Sequence, residues 1–229
     1  MPVIDDIRDS QKMLKGKGFK YKLQYFWEYY RLPVIIIGAF LAIAISVITT
    51  MINNKPAAIS VAWVNSVGTP EEDSFAAVAG IDLSKNLVAF DSGYVISTDP
   101  ENITEMTYTS AQKLMASVAG KTLDVMVCPE DLCKGYLNSE LYKDLREVFS
   151  DAELEAFGDK VLWGTPTNPE TGEVLSEEMP YAICVGSAPV ITSVPCYLTE
   201  DVYIAVISNA PHTDMAKEFV KYLFEYKAE

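Results

Sequence analysis

Gly120-Lys121-Thr122 has the ending of a phosphate-binding loop, in which backbone amides and a lysine cradle polyphosphate. That loop needs a glycine five positions earlier, and Met115 stands there. His212, the single histidine, has Asp214 two residues on, a start toward the base of a Ser-His-Asp hydrolase. No G-x-S-x-G elbow accompanies it, and the sequence puts His212 in a helix-entry loop. Glu130-Asp131 and Glu177-Glu178 are carboxylate pairs of the kind used in general acid and base catalysis. Residues 53–229 hold twenty-eight acids, so adjacent pairs arise there by chance. The sequence supports neither an enzyme nor a bound cofactor.

The four cysteines, Cys128, Cys133, Cys184 and Cys196, allow either disulfides or a metal. The CxxC spacing of a zinc site is missing. In an oxidising compartment short loops would pair Cys128 with Cys133 and Cys184 with Cys196; in an anaerobic source every thiol would stay free.

A binding site has clearer requirements. In an open α/β sheet ligands sit at the carboxyl ends of strands, where loops present amides, hydroxyls and aromatic faces. Three neighbourhoods qualify: Trp63, Asn65 and Ser66 after the first strand, Glu130 and Asp131 after the strand within Leu123–Val127, and Gly186 and Ser187 after Tyr181–Val185. The same residue types also serve ordinary turns, and Trp63 also suits a core.

The elements that must position them alternate. Ile59–Val64 reads as a strand, and Thr69-Pro70-Glu71-Glu72 as a helix start that closes at Gly80. Leu87–Phe90 and Tyr94–Ser97 flank Asp91-Ser92-Gly93 and predict a hairpin or two short strands. Thr109 or Ser110 opens a helix that Gly120 stops, and Leu123–Val127 is a short buried strand. Helical turns are expected over Pro129–Tyr136, a helix over Ser139–Phe149 with Leu141, Leu145 and Val148 on one face, and a shorter one from Asp151 to Gly158. A Pro/Gly-rich loop leads to Tyr181–Val185, then come a strand at Val202–Ile207 and a last helix from Thr213. Alternating strands and helices define an α/β sandwich.

Ahead of these elements Val34–Ile52 runs nineteen residues without a charge, enough helix to cross about 30 Å of hydrocarbon. Seven basic residues precede it, and only Lys55 follows closely, which predicts a cytoplasmic N-terminus. Tyr21, Tyr25, Phe26, Trp27, Tyr29 and Tyr30 lie among Lys20, Lys22 and Arg31 in the composition of an interfacial belt. The predicted division is a cytoplasmic leader at 1–31, a bilayer-spanning signal anchor at 32–52, a linker at 53–58 and an outer domain at 59–229. Over the full 229 residues the net charge is −14; residues 53–229 alone carry −17. A domain that acidic repels polyphosphate, which excludes nucleic acid as a partner.

Lys22–Pro33 (KLQYFWEYYRLP) with the span behind it resembles the N-terminal anchor of a set of Firmicutes membrane proteins whose outer part is similar to type 2 periplasmic solute-binding proteins. Leu114–Val127, Leu141–Val148, Val202–Ile207 and Asp214–Phe224 carry the rest of the likeness. The resemblance implies a periplasmic-binding-like α/β domain with a reduced second lobe, tethered outside a bacterial cell. It implies a noncatalytic module that binds or senses a small solute or peptide. The alternative reading is a structural or assembly subunit of a cell-envelope complex, using the domain to bind a membrane or envelope protein.

Overall fold

The computed structural model describes residues 18–53 and 55–225, in two compact units that divide between Asn54 and Lys55. Residues 1–17 of the predicted leader lie outside the described residues, as do the belt side chains other than Lys20, Trp27 and Arg31.

The first unit is helix α1, Phe19–Asn53, which runs on through Pro33. Its stretch Arg31–Thr50 is long and apolar enough to cross a membrane, with a mean hydropathy of 2.7. Thr50 Oγ1 donates to the Ser46 carbonyl at 2.8 Å, so the hydroxyl is satisfied within the helix itself.

The second unit is a mixed six-stranded sheet covered on both faces. Strands β1 (Ala57–Val64), β2 (Leu87–Tyr94), β3 (Val125–Pro129), β4 (Val161–Gly164), β5 (Met179–Cys184) and β6 (Val202–Val206) lie in the order β2-β1-β3-β6-β5-β4. β1 pairs parallel with both β2 and β3, whereas β6 runs antiparallel to β3 and β5, and β4 antiparallel to β5. Alternation sorts the side chains. Ile59, Val61, Trp63, Val125, Val127, Ile183, Ile204 and Val206 face one core; Ala62, Val64, Met126, Cys128, Ala182 and Ala205 face the other. Burial on both faces explains why these strands read as nearly unbroken apolar runs.

Helices α2 (Glu72–Ala79) and α7 (Thr213–Glu225) close the first face with Phe75, Phe219 and Leu223. α3 (Glu105–Ala119) and α4 (Glu130–Gly135) close the second with Leu114, Leu132 and Cys133. α5 (Asp151–Phe157) and α6 (Pro189–Ser193) add Leu154, Val190 and Ile191 to the first. The α/β class expected from the alternating elements is what the chain forms. Among the described residues there is one sheet, and no second sheet builds another lobe.

Several local expectations are corrected. Residues 87–97 make no hairpin: Asp91 and its neighbours stay extended because β2 hydrogen-bonds along β1 as far as Tyr94. α3 begins at Glu105, because Thr104 and Thr107 form a reciprocal cap one turn before Thr109. α2 is preceded by Glu71, which makes no side-chain cap, although Gly80 does close it at φ 68°. No continuous helix spans 139–149. Leu137–Ser139 and Leu145–Glu147 are single 3-10 turns, and between them the chain is extended against the end of β6: Lys143 N donates to Val206 O and Ser208 N to Leu141 O. Those bonds outweigh the local helical spacing of Leu141, Leu145 and Val148. β1 begins at Ala57, two residues inside the predicted linker, while β4 and α6 were not foreseen.

α5 is tied to α7 by charge. Glu153 caps α5 through Ser150 and meets Lys217 at 2.7 Å and Lys221 at 3.3 Å. The Lys217 contact, then the Ser150 amide and hydroxyl and Lys221, hold its carboxyl down at about 2. A depressed carboxylate stabilises the fold fully above its unfolded pKa, near 4.5, and that stability is lost as pH falls through about 2. Replacing Glu153→Gln is therefore expected to lower the unfolding midpoint at pH 7 and to shrink the gap from the native chain between about pH 4.5 and 2. A gap unchanged at pH 2 would remove this role.

Candidate functional site

The chain leaves β1 for β2 on one side and returns to β3 on the other, so the β1/β3 junction is the sheet's topological switch point. In an open α/β sheet the crevice beyond the carboxyl ends of two such strands is where a ligand sits. β5 runs in the same direction as β1 and β3. All three predicted neighbourhoods thus lie along one edge of the sheet.

Five of the seven residues there are already engaged, and Asp131 and Ser187 are exposed. Trp63 is fully buried, edge-on to Phe90 at 6.0 Å and to Phe219 at 6.2 Å, and belongs to the core. Asn65 takes φ 57°, and its side-chain amide holds one residue from both ends: Nδ2 donates to Ile96 O at 2.8 Å, and Oδ1 accepts from Ile96 N at 2.9 Å. It stitches the end of β1 to the exit of β2. Ser66 Oγ returns to the Trp63 carbonyl at 3.4 Å. Glu130 pairs with Lys134 one turn along α4 at 2.6 Å, while Asp131 is exposed. Gly186 is buried against the Glu200 backbone, and Ser187 is exposed.

One segment visits all three strand ends. After β1, Cys196 O accepts from Val67 N at 2.8 Å; at β3, Tyr197 Oη donates to Val127 O at 2.9 Å and Asp201 O accepts from Glu130 N at 3.1 Å; and after β5 the Glu200 backbone lies against Gly186. The ring of Tyr197 lies 6.3 Å from that of Trp63, tilted by 32°. Burial, chiefly, raises its phenol well above the ordinary range, so it stays a neutral donor to Val127. Residues 194–201 therefore fill the switch-point crevice with the chain's own aromatic ring. Beside this plug Leu198 is 91% exposed and Val67 60% exposed, and Glu71, Asp73, Asp131, Glu200 and Asp201 stand exposed on loops and helix starts along the same edge. Tyr197 escaped the sequence reading because it lies twelve residues past the strand whose end was expected to bind, in a stretch that only Pro189 and Pro195 mark as a turn.

Asp124 was missed as well. It is fully buried at the entry to β3, and its carboxylate accepts from Ser60 N at 2.8 Å, His212 N at 2.7 Å and His212 Nδ1 at 3.1 Å. Its own amide donates to Ser60 O, and its carbonyl accepts from Ile207 N. The partner of His212 is thus Asp124, eighty-eight residues away, and not the neighbouring Asp214. The pair clasps β1, the end of β6 and the entry to α7.

Surface hollows lie elsewhere. One of about 570 Å³ is open to solvent between Gly93 and the first turns of α3, with Thr109, Ser110 and Lys113 in its wall. Another, of about 390 Å³, lies under Tyr142, Arg146 and Glu177. Among the described residues no three His, Cys, Asp or Glu side chains converge as metal ligands. The four cysteines are unbridged in this structure. Comparison with known proteins finds no matching family model, no matching curated protein and no matching solved structure.

Proposed function

We propose that this chain is a single-pass bacterial membrane protein whose N-terminus stays in the cytoplasm, and that residues 55–229 stand outside as a noncatalytic binding domain for an envelope protein. The apolar stretch of α1 and the basic flank ahead of it support the anchor and its orientation. The observation that carries the choice of partner is Tyr197. The crevice at which a solute-binding sheet would receive a small molecule is occupied by this ring and by the backbone on either side of it. What faces outward instead is a loop edge with two exposed apolar side chains, Val67 and Leu198, in acidic surroundings. That suits a polypeptide surface better than an enclosed solute.

The test is a thermal-shift screen of residues 53–229 against amino acids, sugars, peptides and cations, run beside photo-crosslinking from position 198 in intact membranes. A small ligand at a hundred times its Kd would stabilise the domain by about 2.7 kcal/mol. The expected results are no shift from any solute, and a discrete protein adduct at position 198 that disappears when Val67→Asp is introduced. A reproducible upward shift from a small solute would return the assignment to a solute-binding module in which residues 194–201 move aside.

A further inference from the structure

We propose that Cys128 and Cys133 are joined by a disulfide in the exported protein, while Cys184 and Cys196 remain thiols. The proposal rests on the outward orientation of the domain given above.

Cys128 is the fourth residue of β3, and Cys133 lies in α4, the helix that begins immediately after that strand. Pro129, extended at φ −58° and ψ 156°, reverses the chain so that α4 folds back over the strand end. Both cysteines are fully buried, and both belong to the core on the second face of the sheet. α4 packs directly on β3 there, and after burial the Cys133 thiol is among the groups that push the Cys128 thiol up. Two cysteines five residues apart that share one core across a strand-to-helix turn are placed for a bridge, which requires Cα atoms about 4.4–6.8 Å apart.

The other two cysteines are separated by the sheet itself. Cys196 packs in the first core. Ile183 also points into that core, so its neighbour Cys184 points to the opposite face, beside its cross-strand partner Tyr203. Cys184 Sγ is directed at the Glu200 carbonyl at 3.9 Å. A bridge between 184 and 196 would have to pass through hydrogen-bonded backbone, which removes the second of the two pairings expected from loop length.

The oxidant is an oxidised dithiol carrier of the extracytoplasmic space. One cysteine thiolate attacks the carrier disulfide, forming a mixed disulfide and releasing a carrier thiolate. The second cysteine thiolate displaces the other carrier sulfur, leaving the Cys128–Cys133 bond and a reduced carrier. The two protons lost by the cysteines end on the two carrier sulfurs. Exchange takes place on the emerging chain, before burial, because the folded domain exposes neither sulfur. Burial also pushes the Cys128 thiol well up, which suppresses its thiolate once folded.

The test uses the full-length chain in its membrane, quenched in acid and alkylated under denaturing conditions with and without prior reduction. Two labels are expected without reduction, on Cys184 and Cys196, and four after it. The tryptic peptide of residues 122–134, which holds both Cys128 and Cys133, should be unlabelled and lighter by two hydrogens before reduction. A Cys184→Ser, Cys196→Ser double variant should show no label without reduction, which separates this pairing from any that involves the other two sulfurs. Protease added to intact cells reports orientation in the same samples. Four labels on a chain whose outer domain is cleaved from outside would overturn the disulfide and leave the orientation standing. Four labels on a protected domain would overturn both.

Discussion

Asp124→Ala is expected to destabilise residues 55–229 by about 3–5 kcal/mol, because it removes the shared acceptor of a buried hydrogen-bond network. Three donors lose their acceptor at once, and two of them are backbone amides, Ser60 N and His212 N. Each buried amide left unsatisfied costs about 1–3 kcal/mol. At a urea dependence of about 2 kcal/mol per molar, the midpoint should fall by roughly 2 M. The order of the variants carries the argument. Asp124→Asn keeps an acceptor oxygen and should lose about 1–2 kcal/mol. His212→Ala leaves both backbone bonds in place and removes a side chain that is 39% exposed, so about 1 kcal/mol or less is expected. Equal losses from Asp124→Ala and His212→Ala would show that the imidazole, and not the backbone clasp, holds the junction of β1, β3 and α7.

Gly186→Ala should be nearly as damaging for a different reason. A Cβ on Gly186 would lie 1.7 Å from the Glu200 carbonyl oxygen and 2.5 Å from its carbon. Both atoms are backbone, so no rotamer change relieves the overlap. The turn after β5 and the approach to β6 would have to separate, with loss of the Val185 N to Val202 O bond of 2.8 Å. Overpacking of this kind costs about 3 kcal/mol or more where the backbone must shift. Ser187→Ala, on an exposed neighbour, is the control, with an effect within about 0.5 kcal/mol. Chemical denaturation of the pair measures both. A Gly186→Ala domain as stable as the native one would mean that residues 194–201 do not press on the strand ends, and the filled crevice would lose its main support.

How much of this was legible in advance depended on the range of the forces involved. Signals that act within one helical turn or along one strand were readable. Gly80 and Gly158 end their helices, α5 starts at Asp151 with its cap one residue earlier than expected, at Ser150, and the apolar runs at Ile59–Val64 and Val202–Ile207 lie within β1 and at β6. Signals decided by a distant partner were not. Asp91-Ser92-Gly93 has the composition of a tight turn, yet β1 draws it into a parallel strand. Leu141, Leu145 and Val148 have helical spacing, yet β6 holds the chain between them extended. The candidate site shows the same division. Alternation and turn chemistry placed its residues at strand ends, and the parallel course of β1, β3 and β5 brings those ends to one edge. Nothing local revealed that Asn65 spends its amide on Ile96, that Gly186 abuts Glu200, or that Tyr197 reaches Val127 across seventy residues.

The sequence by itself determined the stretch of nineteen uncharged residues, the acidity of residues 53–229 and the α/β class. Hydropathy, charge and periodicity are properties of consecutive residues and need no partner to be read. Tertiary structure alone decided which strands are neighbours, which face of the sheet Cys184 and Cys196 each take, and what occupies the switch-point crevice, because each depends on contacts between residues far apart in the chain, and long-range hydrogen bonding and burial there override local preference.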